Sequence, residues 1–179
     1  MAETQEIGCR CGKVRLQVTS APMLSTKCHC TSCRAAGERL AALPDMLPMV
    51  EADGGTPFTL YRKDRVAFLA GADLLKEFRL TPKSSTRRVV ASCCNTPMFL
   101  EFEHGHWLSL YSHLWPAAQQ KQPDIRTMTE DMPEGTELSR DIPYGGRQTW
   151  GFYGKLLGAW VAMGFRTPKM PVIAGTIDA

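Results

Sequence analysis

Val14, Leu16 and Val18 alternate with Arg15 and Gln17, the period-two pattern of a strand with one face buried. Similar short apolar runs predict further strands at Phe58 and Leu60, Val66 to Leu69, Phe78 and Leu80, Arg87 to Val90, Met98 to Glu103 and His106 to Tyr111. Turn-forming residues separate them: Asp53-Gly54-Gly55, Gly71, Thr81 to Ser85 and His104-Gly105. Many short strands at this spacing predict a mainly β, mostly antiparallel fold. The alanine-containing run from Thr31 to Arg39, directly after Cys30, predicts one or two helical turns. Residues 116–149 carry little pattern and are rich in proline, glutamine and acids, which predicts a connecting region that wraps the surface. Residues 150–165 are apolar nearly all round, although several glycines interrupt them, and predict a helix that ends before Pro168. The expected organisation is a β-domain over residues 1–115 and a C-terminal extension, residues 116–179, packing on it.

Composition narrows this picture without redirecting it. A chain of 179 residues with 44% hydrophobic and 22% charged positions is long enough to bury a core. A net charge of +3 is too small to imply a nucleic-acid partner, and the cluster Lys83, Arg87 and Arg88 is expected on a solvated hairpin edge. The first residues lack a basic start and an apolar stretch, so no signal peptide is expected. Trp150 to Phe165 falls short of the ~20 residues that cross a bilayer. The expected location is therefore cytoplasmic, with no membrane partner. In a reducing compartment, seven cysteines, an odd number, serve as metal ligands or reactive thiols more readily than as disulfides.

Those cysteines fall in three clusters: Cys9-x-Cys11, Cys28-His29-Cys30-x-x-Cys33 and Cys93-Cys94. Side chains two apart share a face of an extended chain, so Cys28 and Cys30 present two sulfurs together. Cys33 returns a third through a tight turn, the geometry of a zinc knuckle. Three thiolates can cap one face of a tetrahedral zinc and leave a fourth position open, as catalytic zinc requires; a distant fourth ligand would make the site structural instead. His29 lies on the opposite face and is expected in the core or supporting the ligands, although its type also suits a metal. Cys9 and Cys11 form a second half-site, with Gly12 letting the backbone turn close to an ion. It needs partners from elsewhere, and the only cysteines left are Cys93 and Cys94. These point to opposite faces if extended, so Cys94 is the expected ligand and Cys93 joins only if the chain bends.

The order Gly8-Cys-x-Cys-Gly12-x-Val14, Cys28-His29-Cys30-x-x-Cys33-Arg34 and Cys94-x-Thr96-Pro97 resembles the glutathione-dependent formaldehyde-activating family, also called the centromere-protein-V-like domain. The resemblance covers roughly residues 7–112 and implies an antiparallel β-tent-like fold with two zinc ions. It implies that Cys9 and Cys11 join the late cysteines in a structural site, and that Cys28, Cys30 and Cys33 hold the zinc associated with activity. The late motif of the family is usually Cys-x-x-Cys-Gly-Thr; here Ala91 stands where its first cysteine would align and Asn95 replaces its glycine. Asn tolerates a left-handed backbone, so the turn can survive. The missing ligand must be supplied by Cys93, by a nitrogen or oxygen donor such as His104, His106 or His113, or not at all.

The resemblance implies a carbon–sulfur lyase or synthase acting on glutathione or similar thiol–aldehyde adducts, as in S-(hydroxymethyl)glutathione synthase. Zinc held by Cys28, Cys30 and Cys33 would stabilise the substrate thiolate, and the neighbouring cations Arg34 and Lys27 are candidates for anchoring a carboxylate of the thiol. No general base or nucleophilic triad is visible in the sequence. The competing reading is a non-catalytic zinc-stabilised binding module, with Gly154-x-x-x-Gly158, Trp150, Trp160 and Phe165 forming a homodimer contact. A third reading is metal buffering, which calls for a labile ion and no pocket.

Overall fold

The computed structural model describes residues 3–171 and 173–179. The chain begins with β1 (Thr4–Gly8), β2 (Arg15–Thr19) and β3 (Leu24–Cys28), followed by the helix α1 (Thr31–Leu40). Six strands come next: β4 (Thr56–Arg62), β5 (Val66–Ala70), β6 (Leu75–Phe78), β7 (Thr86–Ala91), β8 (Thr96–Phe102) and β9 (Trp107–Tyr111). A short β10 (Ile125–Thr127) and the helix α2 (Gly146–Ala162) complete the set. They form a three-stranded sheet, β1-β2-β5, and a seven-stranded sheet in the order β10-β3-β4-β9-β8-β7-β6. Every pairing between these strands is antiparallel except β10 with β3, which is parallel.

The pattern of the sequence accounts for the layers. In β2 the apolar partners Leu16 and Val18 face inward, while Arg15 lies outside. The large sheet is covered on both faces, so its central strands are nearly continuous apolar runs. Tyr61, Val89, Phe99, Leu108 and Leu110 pack against Ile7, Val14, Leu16 and Val18 of the small sheet. Phe58, Leu60, Val90, Leu100 and Tyr111 pack on the opposite face against Cys33, Ala36 and Leu40 of α1. Each cysteine cluster sits beside one of these two cores: Cys9, Cys93 and Cys94 beside the first, and Cys28, Cys30 and Cys33 beside the second.

Four sequence-based expectations change. The strand β10 lies within the supposedly patternless 116–149 segment, because three residues held by one parallel neighbour are too short to leave a period. The helix α2 begins at Gly146, ahead of the expected start, with no side-chain cap to mark it. It is also far from buried: Leu156 is its only buried residue. The cluster Lys83, Arg87 and Arg88 is a solvated hairpin edge only at Lys83, since Arg88 is only 1% exposed and Arg87 is paired with Glu77 and Glu101.

Two histidines tie the fold to pH. His106 and His113 place Nε2 2.9 Å from the Leu156 carbonyl and 2.8 Å from the Pro97 carbonyl, each ring donating its proton. Burial lowers both rings below the ordinary histidine range, against the opposing pull of those carbonyls. The unfolded chain therefore takes up more protons as pH falls, so stability is lost below about pH 6.5. The melting temperature is expected to drop between pH 7 and pH 5.5 at constant zinc content, with a shallower slope in His113→Gln. An unchanged slope would show that this ring is not the source.

Candidate metal centres

The first cluster is assembled from a knuckle and a turn. Gly8 ends β1 where a Cβ would stand 2.6 Å from the Val14 carbonyl oxygen, so only glycine lets the two backbones meet there. The chain then curls through Gly12, at φ +75°, with Cys9 N–H donating to the Val14 carbonyl and Gly12 N–H to the Cys9 carbonyl. Val14 N–H points at the Cys9 sulfur, 3.3 Å away. From the other side, β7 ends at Ala91 and the chain bends sharply: Cys94 N–H donates to the Ala91 carbonyl, and Asn95 takes the left-handed conformation at φ +50°. That bend turns both Cys93 and Cys94 toward Cys9 and Cys11, and all four sulfurs lie within 4.8 Å of one another.

The sulfur separations test the fit to zinc. Thiolates 2.3 Å from a tetrahedral ion stand about 3.8 Å apart. The pairs Cys9–Cys11, Cys9–Cys93, Cys11–Cys93 and Cys93–Cys94 stand at 3.5, 3.8, 3.4 and 3.9 Å. These distances are far too long for disulfides and suit a closed four-thiolate shell. The Cys93 sulfur therefore stands where it could take the place of the ligand that Ala91 lacks. His106 and His113 are hydrogen-bonded elsewhere, and no histidine among the described residues joins the cluster.

The second cluster sits where β3 runs into α1. Cys28 closes the strand, Cys30 is the N-cap of the helix and Cys33 lies in its first turn, with Cys33 N–H donating to the Cys30 sulfur at 3.3 Å. The three sulfurs lie within 4.8 Å of one another, and no fourth histidine, cysteine or carboxylate joins them among the described residues. Hydrogen bonds from Cys28 and Cys33, with help from Ser32, hold the Cys30 thiol far below its ordinary range and outweigh burial. The same sharing pushes Cys28 up to about 11, and Cys33 rises too.

Several residues that sequence reasoning missed surround this cluster. The Ser32 hydroxyl lies 3.2 Å from the Cys30 sulfur. Arg88 crosses the core from β7, its Nη2 donating to the Ser32 carbonyl at 2.8 Å and reaching the Ser32 hydroxyl at 3.4 Å. Its Nε and Nη1 are buried without a partner. Tyr111 is buried beside them, and burial first, then the three cysteines, push its hydroxyl pKa up against the opposing charge of Arg88. The only available signal was the pairing of Arg88 with an apolar strand neighbour on each side, Phe78 and Leu100, which requires knowing the register.

The candidates named from sequence take other places. Lys27 Nζ lies 2.5 Å from Glu51 and 2.9 Å from Asp53. Arg34 donates to the His29 and Asp131 carbonyls, which ties the segment around residue 131 to the start of α1. His29 is fully buried, does not group with the three sulfurs, and leaves both ring nitrogens without a partner among the described residues. Two surface hollows, of about 430 and 470 Å³, are lined by residues such as Asp64, Lys63, Arg166 and Lys169 and include no cysteine. The chemistry of the donor atoms, not the volume of a hollow, marks the metal centres.

Residues 4–48 match the family model described as glutathione-dependent formaldehyde-activating enzyme. The match holds both the Cys9-x-Cys11 and the Cys28-His29-Cys30-x-x-Cys33 motifs and stops before Cys93 and Cys94. No curated protein matches the chain. Among solved structures, a Rhodobacter sphaeroides protein from a structural genomics programme aligns at a TM-score of 0.45 and 14% identity. That alignment covers 63% of this chain and 89% of the other.

Proposed function

We propose that this protein uses the Cys28, Cys30 and Cys33 centre to make or break the carbon–sulfur bond of thiol–aldehyde adducts, with glutathione and formaldehyde as the reference pair. One observation carries the reading: four sulfurs converge in one cluster and only three in the other, so the second shell is left incomplete by the protein's own donors. The family match over residues 4–48 supports the same chemistry. Zinc bound there would act as a Lewis acid that lowers the pKa of a thiol entering the remaining position.

The reaction is redox-neutral. A thiol adds to the aldehyde carbon, one sulfur–carbon bond forms, the carbonyl π bond opens, and the proton leaving sulfur ends on the new hydroxyl oxygen. The contribution of the chain is positional. Cys30 sits at the start of α1, where the helix dipole favours negative charge, and its sulfur accepts the Cys33 backbone N–H. Arg88 adds a fixed positive charge behind Ser32, which balances an anionic thiolate centre. Lys27 and Arg34 remain candidate cations for a carboxylate of the thiol, and engaging one would require it to exchange a present partner.

The competing reading is a zinc-stabilised module without catalysis. It is favoured by the absence of any cysteine from the lining of the two hollows. Exchange of formaldehyde between free and glutathione-bound forms, followed by magnetisation-transfer NMR, separates the two. Wild-type protein is expected to accelerate exchange. Cys30→Ser is expected to fall to the uncatalysed rate while losing one zinc and keeping its fold. No acceleration by wild-type protein carrying both ions leaves the module as the reading; unfolding of Cys30→Ser assigns the cluster to structure.

A further inference from the structure

The helix α2 covers little of the protein it belongs to. Its inward stripe is Thr149, Phe152, Leu156, Ala159 and Met163, spaced three and four apart. A second stripe, displaced by one residue, is apolar and faces solvent: Trp150 is 79% exposed, followed by Tyr153, Leu157, Trp160, Val161 and, in the turn beyond, Phe165 at 60%. The glycines between them, Gly151, Gly154 and Gly158, have nothing within 4 Å of a built Cβ, so no part of the described chain packs there. Solitary exposed apolar residues need no explanation, but six along one helix and its closing turn, four of them aromatic, do, even with the Trp160 ring stacked on His106.

The charge around the patch indicates what covers it. From Ile142 to Ile177 the sequence contains Arg147, Lys155, Arg166 and Lys169 and no aspartate or glutamate. All four cations are exposed, and none forms an ion pair among the described residues. A second copy of this face would bring cations against cations with no acid to pair them, which disfavours self-association. An anionic surface complements it. Aromatic rings beside a basic flank are the composition of helices that lie in the lipid headgroup region. No helix of the described residues is long and apolar enough to cross a membrane, so the contact is with the surface.

We infer that α2 and the turn ending at Phe165 form a docking face for anionic lipid bilayers, with the aromatic stripe in the headgroup region and Arg147, Lys155, Arg166 and Lys169 at the phosphates. This departs from the expectation of no membrane partner, which rested only on the length needed to span one. The inference stands apart from the thiol chemistry. The strand linking the two regions is β10, which touches α2 and pairs with β3 just before the second cysteine cluster, so docking would leave that cluster on a neighbouring part of the same sheet.

Flotation of the full zinc-loaded chain with vesicles tests the inference. Vesicles of equal phosphatidylglycerol and phosphatidylcholine are expected to carry the protein up the gradient, and vesicles of phosphatidylcholine alone at least about tenfold less, given four cations near the surface. Raising the salt from 0.1 to 0.5 M is expected to weaken binding several-fold, since screening shortens with ionic strength. The double variant Trp150→Ser with Leu157→Ser is expected to lose about tenfold or more. Arg147→Gln with Lys155→Gln should lose the preference for anionic lipid; both variants are checked for helix content and zinc. Failure to float with the anionic vesicles overturns the inference. So does sedimentation showing a dimer that Trp150→Ser with Leu157→Ser dissolves, which would make the face a self-contact.

Discussion

Cys93→Ser and Cys94→Ser are each expected to remove one zinc of two and to unfold the protein near room temperature. The effect is large because, beside the shared core, the first cluster is the main tie between the loop after β1 and the turn after β7. Cys9 and Cys11 lie in the loop after β1, while Cys93 and Cys94 lie in the turn between β7 and β8. The direct hydrogen bonds across this junction are few: Arg10 N–H to the Thr96 hydroxyl at 3.2 Å and the Arg10 side chain to the Cys94 carbonyl at 3.5 Å. A structural zinc contributes about 10–16 kcal/mol of apparent binding energy at neutral pH. A domain of this size has only about 5–15 kcal/mol of net stability. Losing one thiolate of four weakens the shell and exposes the remaining three sulfurs to mutual repulsion without a central charge. Elemental analysis of protein purified without a metal-affinity tag, together with a thermal melt, measures both effects. If Cys93→Ser keeps two zinc ions and the wild-type melting temperature while Cys94→Ser does not, Cys93 is a bystander and the four-thiolate shell is wrong.

What could be read from the sequence follows from how locally each feature is specified. The CxC and CHCxxC groups place sulfurs together through neighbouring backbone geometry, so both half-sites were visible from spacing alone. The role of Cys93 was not, because adjacent residues diverge in any extended chain. Convergence needed the turn held by the Cys94 N–H bond to Ala91 and by the left-handed Asn95. The left-handed tolerance of asparagine was legible, but the direction in which it aims two neighbouring sulfurs was not. Most strands of the large sheet announced themselves by apolar runs, yet β10 could not, since its register belongs to β3. Arg88 was misplaced for a related reason. A run of basic residues suggests a wet edge, and only the pairing of β7 between β6 and β8 turns its side chain into the core. The exposed face of α2 was legible in outline, since Trp150, Trp160 and Phe165 stood out as a contact surface, but apolar residues all round the helix do not show that only one stripe is covered.

Arg88→Met should separate metal binding from folding. The substitution keeps much of the side-chain length and removes a charge whose Nε and Nη1 are buried without partners. Taken alone, an uncompensated buried cation is destabilising, and replacing it with a well-packed apolar chain is often neutral or stabilising. With the second cluster emptied and the zinc of the first retained, Arg88→Met is therefore expected to melt at or above the temperature of its parent in the same state. The second cysteine cluster reverses the sign when loaded. Three thiolates around a divalent ion leave one net negative charge, and Arg88 reaches Cys30 through the Ser32 hydroxyl, at 3.4 and then 3.2 Å. Supporting groups of this kind are worth about 10–100-fold in metal affinity. Competition with a chromophoric chelator is expected to show one zinc released that much more readily and the other unchanged. Cobalt substitution should shift the charge-transfer bands of the three-sulfur site without touching those of the four-sulfur site. Arg88→Lys restores the charge but not the fork that reaches Ser32, and should recover only part of the affinity. Equal affinity in all three proteins would mean that the guanidinium balances nothing at the metal, and that the interior of the sheet holds a charge for some other partner.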